Sequence, residues 1–382
     1  MSSLDKIEES LPSAWYYDET HYRLELESIW YRNWVCVGRM EQIPRAGDYF
    51  VAEIGTQRIV VVRGPDDAPR AYHNTCRHRG AVLCTSQSGH FNNGRIVCPY
   101  HTWTYSLDGD LVATPFRIDS NGFDPGDYPL YRVHLGTWGG FVFVNLADDP
   151  RQAIQEFLGR EADELAHWPL ADLRSVQQDR TLLACNWKVF WENYNECYHC
   201  PRVHPELCRV VPVYRQGISG QNEQPDFEPS GDPVADRPHV RPGMSTWTVD
   251  GSSGLPPLPG LTDAERREGM RFATLLGSLF VVGHTDYARS VRVVPRGPES
   301  TELIVDWYLL PDVAESHAAE IDHMLELGRL VVAQDGRVCE LNQQGLRSRA
   351  HRRGVLVGQE YYLWDFHQWL RRQLPESGYD EP

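Results

Sequence analysis

Two short motifs, Cys76-Arg77-His78 and Cys98-Pro99-Tyr100-His101, stand nineteen residues apart and restrict this chain more than any other feature. Each offers one thiolate and one imidazole from a single loop. For all four side chains to serve one centre, two loops must be presented side by side by a compact framework. The surrounding sequence suits that demand. From about Val37 to Leu146 it reads as short β-rich runs punctuated by Gly, Asp and Pro. DYFVAEIGTQRIVVVRG has the pattern of a hairpin, and GTWGGFVFVNL that of a strand closing the module. A small antiparallel β domain is expected there.

Two Cys on one iron and two His on the other is the ligand set of a Rieske [2Fe-2S] centre. The same four residues would also satisfy a Cys2His2 zinc site. The flanks, CRHRG and CPYHTWTYSLDG, favour the cluster, because a zinc finger would follow its Cys pair with a helix. Cys84 has no second Cys beside Cys98 to pair with, so a buried thiol is expected.

A second stretch, NWKVFWENYNECYHCPRVHPEL from Asn186 to Leu207, starts as a helix and is broken by Pro201. Glu196 and His199 stand three apart, and the turn at Pro201 would swing His204 back beside His199. Two imidazoles and a carboxylate with open positions suit a non-haem Fe(II) centre. Taken alone, the helix shows one apolar face of Trp187, Phe190, Trp191, Tyr194 and Tyr198. The opposite stripe, Glu192, Glu196 and His199, reads on periodicity alone as solvated surface. Cys197, Cys200, His204 and Cys208 offer a zinc site as a further reading. The upstream cluster motif favours iron, since a one-electron relay needs an acceptor.

A third ligand has to come from elsewhere. In the helix expected from about Ala314 to Gly345, Leu327, Val331 and Val338 mark a core-facing stripe, and Asp335 falls on it. A carboxylate there is costly unless it is ion-paired, for example with Arg329 or Arg337, or bound to metal. Glu340 is the fallback and points away from the stripe. Residues 217–261, rich in Pro, Gly, Ser and Asp, read either as a lid or as a surface insertion. SVRVVPRG and TELIVDWYLLP read as paired antiparallel strands.

With 382 residues the chain can bury two cores. Its net charge of -16 argues against nucleic acid as a partner. No apolar run reaches membrane-spanning length, and the polar, acidic opening residues lead to an expectation of a cytoplasmic protein with free thiols.

Over nearly its whole length, from the Cys/His pairs through ENYNECYHCPRVHP to the final FHQWL helix, the chain resembles the α subunit of a Rieske non-haem iron oxygenase. The resemblance implies an α+β architecture: an N-terminal helical lead-in (1–36) packed on the catalytic domain, a small antiparallel β Rieske domain (37–148), and a catalytic domain (149–382) whose antiparallel sheet wraps around helices in a helix-grip arrangement. It implies that Cys76, His78, Cys98 and His101 hold the [2Fe-2S] cluster and that His199, His204 and Asp335 hold a mononuclear Fe(II). Glu196 would bridge to His101 of a neighbouring subunit in a homotrimer. Electrons would come from NAD(P)H through a separate flavin- or ferredoxin-type reductase, since the chain has no dinucleotide-binding GxGxxG. Glu at position 196, within NECYHCPRVHPE, resembles the quaternary-ammonium branch, which includes glycine betaine, stachydrine, carnitine and choline oxygenases. That points to O2-dependent hydroxylation of an N-methyl group with formaldehyde release. An aromatic-ring hydroxylase or an aromatic O- or N-demethylase is the alternative; an electron carrier and a zinc-bearing structural protein are further readings. Trp247, Tyr287, Trp307 and Tyr308 are candidate walls of a cation–π cage, although with 12 Trp and 18 Tyr in the chain any four aromatics are more often core than cage.

Overall fold

The computed structural model describes residues 3–118, 121–224, 227–232 and 234–375. The chain forms two compact units: Trp30–Phe157, and Met1–Ile29 together with Leu158–Pro382.

In chain order, strand β1 (Glu8–Glu9) and helix α1 (Glu19–Glu25) open the larger unit. Asp18 caps α1 by accepting from the His21 amide, and a π-helical turn over Leu26–Trp30 continues it. The smaller unit is all β: β2 (Val35–Arg39), β3 (Asp48–Ile54), β4 (Gln57–Arg63), β5 (Pro69–His73), β6 (Ser88–His90), β7 (Arg95–Val97), β8 (Thr104–Ser106), β9 (Leu111–Ala113), β10 (Arg132–Trp138) and β11 (Phe141–Asn145). Its main antiparallel sheet has the order β2-β11-β10-β5-β4-β3-β6, and β7-β8-β9 form a second, smaller sheet. The β3–β4 hairpin falls where alternating hydrophobicity places it. The GTWGGFVFVNL segment, expected as one strand, folds as the β10–β11 hairpin. Gly139 and Gly140 both take positive φ at its turn, a conformation open to glycine at no steric cost. Val51, Val60, Val62, Tyr72, Ile96 and Tyr105 form the core beneath the two cysteine loops.

α2 (Ile154–Glu164) is interrupted at Gly159, where φ is +47°. The larger unit then builds a five-stranded antiparallel sheet from β12 (Arg174–Leu183), β13 (Met270–Leu275), β14 (Leu279–His284), β15 (Ala288–Gly297) and β16 (Ser300–Leu309), ordered β12-β16-β15-β14-β13. Between β12 and β13 lie α3 (Trp187–Tyr194), α4 (Cys200–Val203), α5 (Leu207–Val210), the long irregular connection and α6 (Asp263–Glu268). After β16 come α7 (Pro311–Ser316), α8 (Ile321–Leu346), β17 (Val355–Leu356), paired with β1, and α9 (Tyr361–Gln373). The single helix expected from about 314 to 345 is thus two, separated at 317–320. α8 packs against α3 and β12.

α3 buries Trp187, Val189, Phe190 and Trp191 and stops at Tyr194, earlier than its apolar pattern suggests. Tyr198 lies beyond the helix and is 56% exposed, so it does not belong to the buried face. The opposite stripe is not solvated either. Glu192 accepts from Tyr16 Oη at 2.5 Å and from His367 Nε2 at 2.8 Å, so the N-terminal segment and α9 cover it. Lys188 and Glu25, both fully buried, lock α1 onto α3. Lys188 Nζ donates to Glu25 Oε1 (2.5 Å) and to the Trp15 carbonyl (2.8 Å), and Trp187 Nε1 donates to Glu25 Oε2 (2.8 Å).

Candidate metal centres

In the smaller unit, two tight loops face each other. Residues 76–81 close through Cys76 N donating to Ala81 O (2.8 Å) and Gly80 N donating to Cys76 O (3.0 Å). Residues 98–103 close through Cys98 N donating to Trp103 O (2.8 Å) and Thr102 N donating to Cys98 O (3.1 Å). Gly80 takes φ +74°, which the reversal needs and a side chain would resist. Cys76 and Cys98 are buried, whereas His78 is exposed and His101 half-buried, with ring centroids 4.6 Å apart. Trp103 stacks on His78 at 4.8 Å, and Tyr105 Oη lies 3.2 Å from Cys76 Sγ. Burial, followed by the nearby Cys98 thiol, raises the pKa of Cys76 against the hydrogen bonds that favour its thiolate. Thiols inside and imidazoles outside match the asymmetric donor set of a Rieske cluster. Cys84 lies beneath the loops as a free thiol, its pKa pushed up to about 12 by burial.

In the larger unit, His199, His204 and Asp335 bring one donor atom each within 4.8 Å of one another. His199 Nε2 is 3.2 Å from His204 Nε2 and 3.4 Å from Asp335 Oδ1, and His204 Nε2 is 2.8 Å from Asp335 Oδ1. The local chain path differs from the one expected. Pro201 does not break a helix; it sits in the first turn of α4, where its missing N–H costs nothing. His199 precedes α4 and His204 ends it, and that short helix turns the two rings toward each other.

The outer nitrogens hold the rings in place. His199 Nδ1 lies 2.6 Å from Glu196 Oε1, and the His199 amide donates to Glu196 Oε2 at 3.1 Å. His204 Nδ1 lies 2.8 Å from Gln334 Oε1, and Gln334 Nε2 donates to Glu206 Oε2 at 3.1 Å. Each Nδ1–H thus has an acceptor, which leaves both Nε2 lone pairs aimed inward, the orientation found around metal-bound histidines. Burial alone would lower the pKa of His199, but Asp335, Cys200 and Glu196 raise it far above the usual histidine range. Burial opposes ionisation of Asp335, yet the two imidazoles hold its pKa below the ordinary value. Such a pocket favours positive charge at its centre, and a divalent ion supplies it. The donors therefore fit a two-His, one-carboxylate iron site.

Gln334 was not anticipated from the sequence, although it adjoins Asp335. Glu340 instead accepts from the Ala184 amide and lies outside the triad. Of the four aromatic candidates, Trp247 and Tyr287 converge on His284. Tyr287 stacks on it at 4.1 Å, Trp247 lies at 5.5 Å, and Tyr287 Oη donates to the Trp247 carbonyl at 2.9 Å. Trp307 and Tyr308 cannot wall one cage, because neighbours in a strand face opposite sides of the sheet. Trp307 lies across from Arg289, whereas Tyr308 points the other way, with its hydroxyl 2.7 Å from Ser290 Oγ.

Residues 33–121 match the Rieske [2Fe-2S] domain, and residues 170–376 match the catalytic domain of the ring-hydroxylating alpha subunit. The chain is 33% identical to the glycine betaine monooxygenase oxygenase subunit of Chromohalobacter salexigens, over 94% of this chain and 84% of that one. It is 28% identical to the chloroplastic choline monooxygenase of Beta vulgaris, over 95% of this chain and 76% of that protein. Its fold superposes with a TM-score of 0.72 on a quaternary ammonium Rieske monooxygenase whose structure bears on carnitine oxidation and inter-subunit electron transfer. That protein is 21% identical, with 96% of each chain covered.

Proposed function

Since the chain belongs to the alpha subunits of Rieske-type ring-hydroxylating oxygenases, we propose that it hydroxylates an N-methyl group of a small quaternary ammonium compound. It is an oxidoreductase that uses O2 and reducing equivalents from NAD(P)H delivered by a reductase. The convergence of His199, His204 and Asp335 is the observation that carries the chemistry. The relatedness to glycine betaine and choline monooxygenases supports the substrate class.

In this reading Cys76, His78, Cys98 and His101 hold the cluster, and His199, His204 and Asp335 hold the iron. When bound, these groups supply single electrons and activation of O2. Glu196 and Gln334 fix the two imidazoles. In the same reading Glu196 links His199 to His101 of a neighbouring subunit and holds a proton there; its carboxylate oxygen 2.6 Å from His199 Nδ1 supports this. In the balanced reaction, the N-methyl ammonium ion, O2, two electrons and two protons give the N-hydroxymethyl ammonium ion and water. The bond from nitrogen to the hydroxylated carbon then breaks with loss of a proton, giving the tertiary amine and formaldehyde.

The assembly in this reading is a homotrimer. The surface beside His101 supports it, because Tyr100 is 58% exposed and Phe116 is 97% exposed, large apolar groups of the kind that protein interfaces cover. A flavin- or ferredoxin-type reductase and a cytoplasmic setting complete the proposal. Among the described residues no helix is long and apolar enough to cross a membrane.

The test is a single turnover of chemically reduced protein, without reductase, against glycine betaine, stachydrine, carnitine, choline and aromatic acids. Formaldehyde and a demethylated amine from one ammonium compound are expected. Oxidised product from the aromatic acids alone overturns the substrate assignment.

A further inference from the structure

One buried group is unused by the chemistry described above. Arg289, on β15, is 4% exposed, and its guanidinium makes no hydrogen bond or ion pair with the described residues. A buried cation without a counter-charge carries a heavy desolvation cost, which folds tolerate where a ligand supplies the missing partner. The groups around it share one polarity. Trp247 and Trp307 both bury indole N–H groups that have no acceptor. The Arg289 guanidinium stands 5.8 Å from the Trp247 ring centroid, and Trp307 is its direct cross-strand neighbour. Burial, reinforced by the Arg289 charge, keeps His284 neutral beside them, so it adds no second positive charge. Three donors and no anion describe a site for an acceptor.

Its place relative to the iron site follows from α8. A Cβ at Gly328 would stand 3.2 Å from Trp307 Nε1 and 3.4 Å from Arg289 Nη1, so the glycine leaves both donors free. Gly328 precedes Asp335 by seven residues, two helical turns, which puts them on the same face of α8 about 10 Å apart along the axis. The charge of Asp335 reaches Arg289 without forming an ion pair with it. A small zwitterion can span that gap, with its methylated nitrogen toward the triad and its anionic end toward Arg289.

We propose that Arg289, assisted by the Trp307 and Trp247 indoles, anchors a substrate carboxylate, so that this oxygenase selects zwitterionic N-methylated ammonium acids over uncharged-tail analogues such as choline. The inference deepens the quaternary-ammonium reading and rests on it for the other end of the substrate.

The test compares glycine betaine, carnitine, their methyl esters and choline on wild type and Arg289→Met. The wild type is expected to favour the acids. Replacing the guanidinium should cost the acids about a hundredfold in kcat/KM, mainly through KM, while esters and choline change by less than about threefold. Iron and cluster contents should stay unchanged, and the melting temperature should hold or rise, because an unpaired buried charge is gone. Equal losses on acids and esters, or no loss on either, overturn the proposal. Should Arg289→Met fail to fold, Trp307→Phe removes one donor and keeps the ring; it is expected to raise KM for the acids alone, and an equal rise for the esters overturns the anchor. A wild type that turns over esters and choline as readily as the acids also overturns it, while leaving the ammonium reading intact. Turnover confined to aromatic acids, lost in Arg289→Met, would remove the ammonium reading and keep the anchor.

Discussion

At the scale of single residues, the roles divide between donor atoms that face a centre and groups that aim them. Gln334 aims. Its carbonyl takes the His204 Nδ1–H, and its amide is tied to Glu206. Gln334→Leu should therefore lower mononuclear iron affinity by about 10- to 100-fold while the cluster spectrum persists, as read by iron titration of the apoprotein. Glu196→Gln should leave both metals bound and stop substrate-dependent turnover; near-normal coupled turnover would remove Glu196 from the electron path. Lys188 and Glu25 carry a different burden, because neither has contact with water. Burial works against ionising Glu25, yet Lys188 pulls its pKa below the ordinary value. Glu25→Gln should cost about 3–5 kcal/mol in chemical denaturation, since it strands a buried ammonium. The convergence of His199, His204 and Asp335 was legible in the sequence because ligand chemistry restricts residue type and spacing. Gln334 and Arg289 were not, because a glutamine beside an aspartate and an arginine at the start of the strand sequence ARSVRVV look the same in an ordinary fold. Only their partners, or the lack of them, set them apart.

Among the elements, helices and strands with a clear period were legible, whereas the long connection between residues 217 and 261 was not. Pro, Gly and Ser composition reveals a break in periodicity but not where the segment docks. In the structure it is pinned to the sheet through Asp286, which accepts from Thr246 Oγ1 at 2.6 Å and from Ser253 Oγ, and through Leu258 N, which donates to the Thr285 carbonyl at 2.7 Å. Trp247 is brought to His284 by this docking. Burial pushes the pKa of Asp286 up to about 6, against hydrogen bonds that favour its ionised form. The folded protein thus holds this proton more tightly than the unfolded chain, where the pKa is about 3.9. The resulting stability is fully present below about pH 4 and is lost as pH rises to about 6, by at most about 3 kcal/mol. Denaturation midpoints of wild type and Asp286→Asn from pH 4 to 8 test this. The wild-type advantage over the variant should shrink across pH 4–6 and then level off; a difference that stays flat would place the ionisation elsewhere.

For the whole molecule, the two centres belong to separate compact units. The cluster histidines face outward from the smaller unit, and His101 stands beside Tyr100 and near a strongly exposed Phe116. His199 meets Glu196 in the larger unit. If electrons cross from the cluster of one subunit to the iron of the next, damage to the two centres should complement between chains. On the proposed roles, Cys76→Ser removes a cluster ligand and His204→Ala an iron ligand, so each variant alone should be inactive. In a mixed ring of three subunits, whether two-to-one or one-to-two, an intact cluster precedes an intact iron at one interface of three, so about a third of wild-type activity should return. Transfer within one subunit allows no recovery, because no chain then carries both centres. Mixing after refolding or coexpression with two different tags, followed by turnover measured on the doubly tagged fraction, separates these outcomes. Recovery near a third would establish the three-membered ring and transfer between subunits together, and baseline activity in a confirmed mixed trimer would return the path to the single chain.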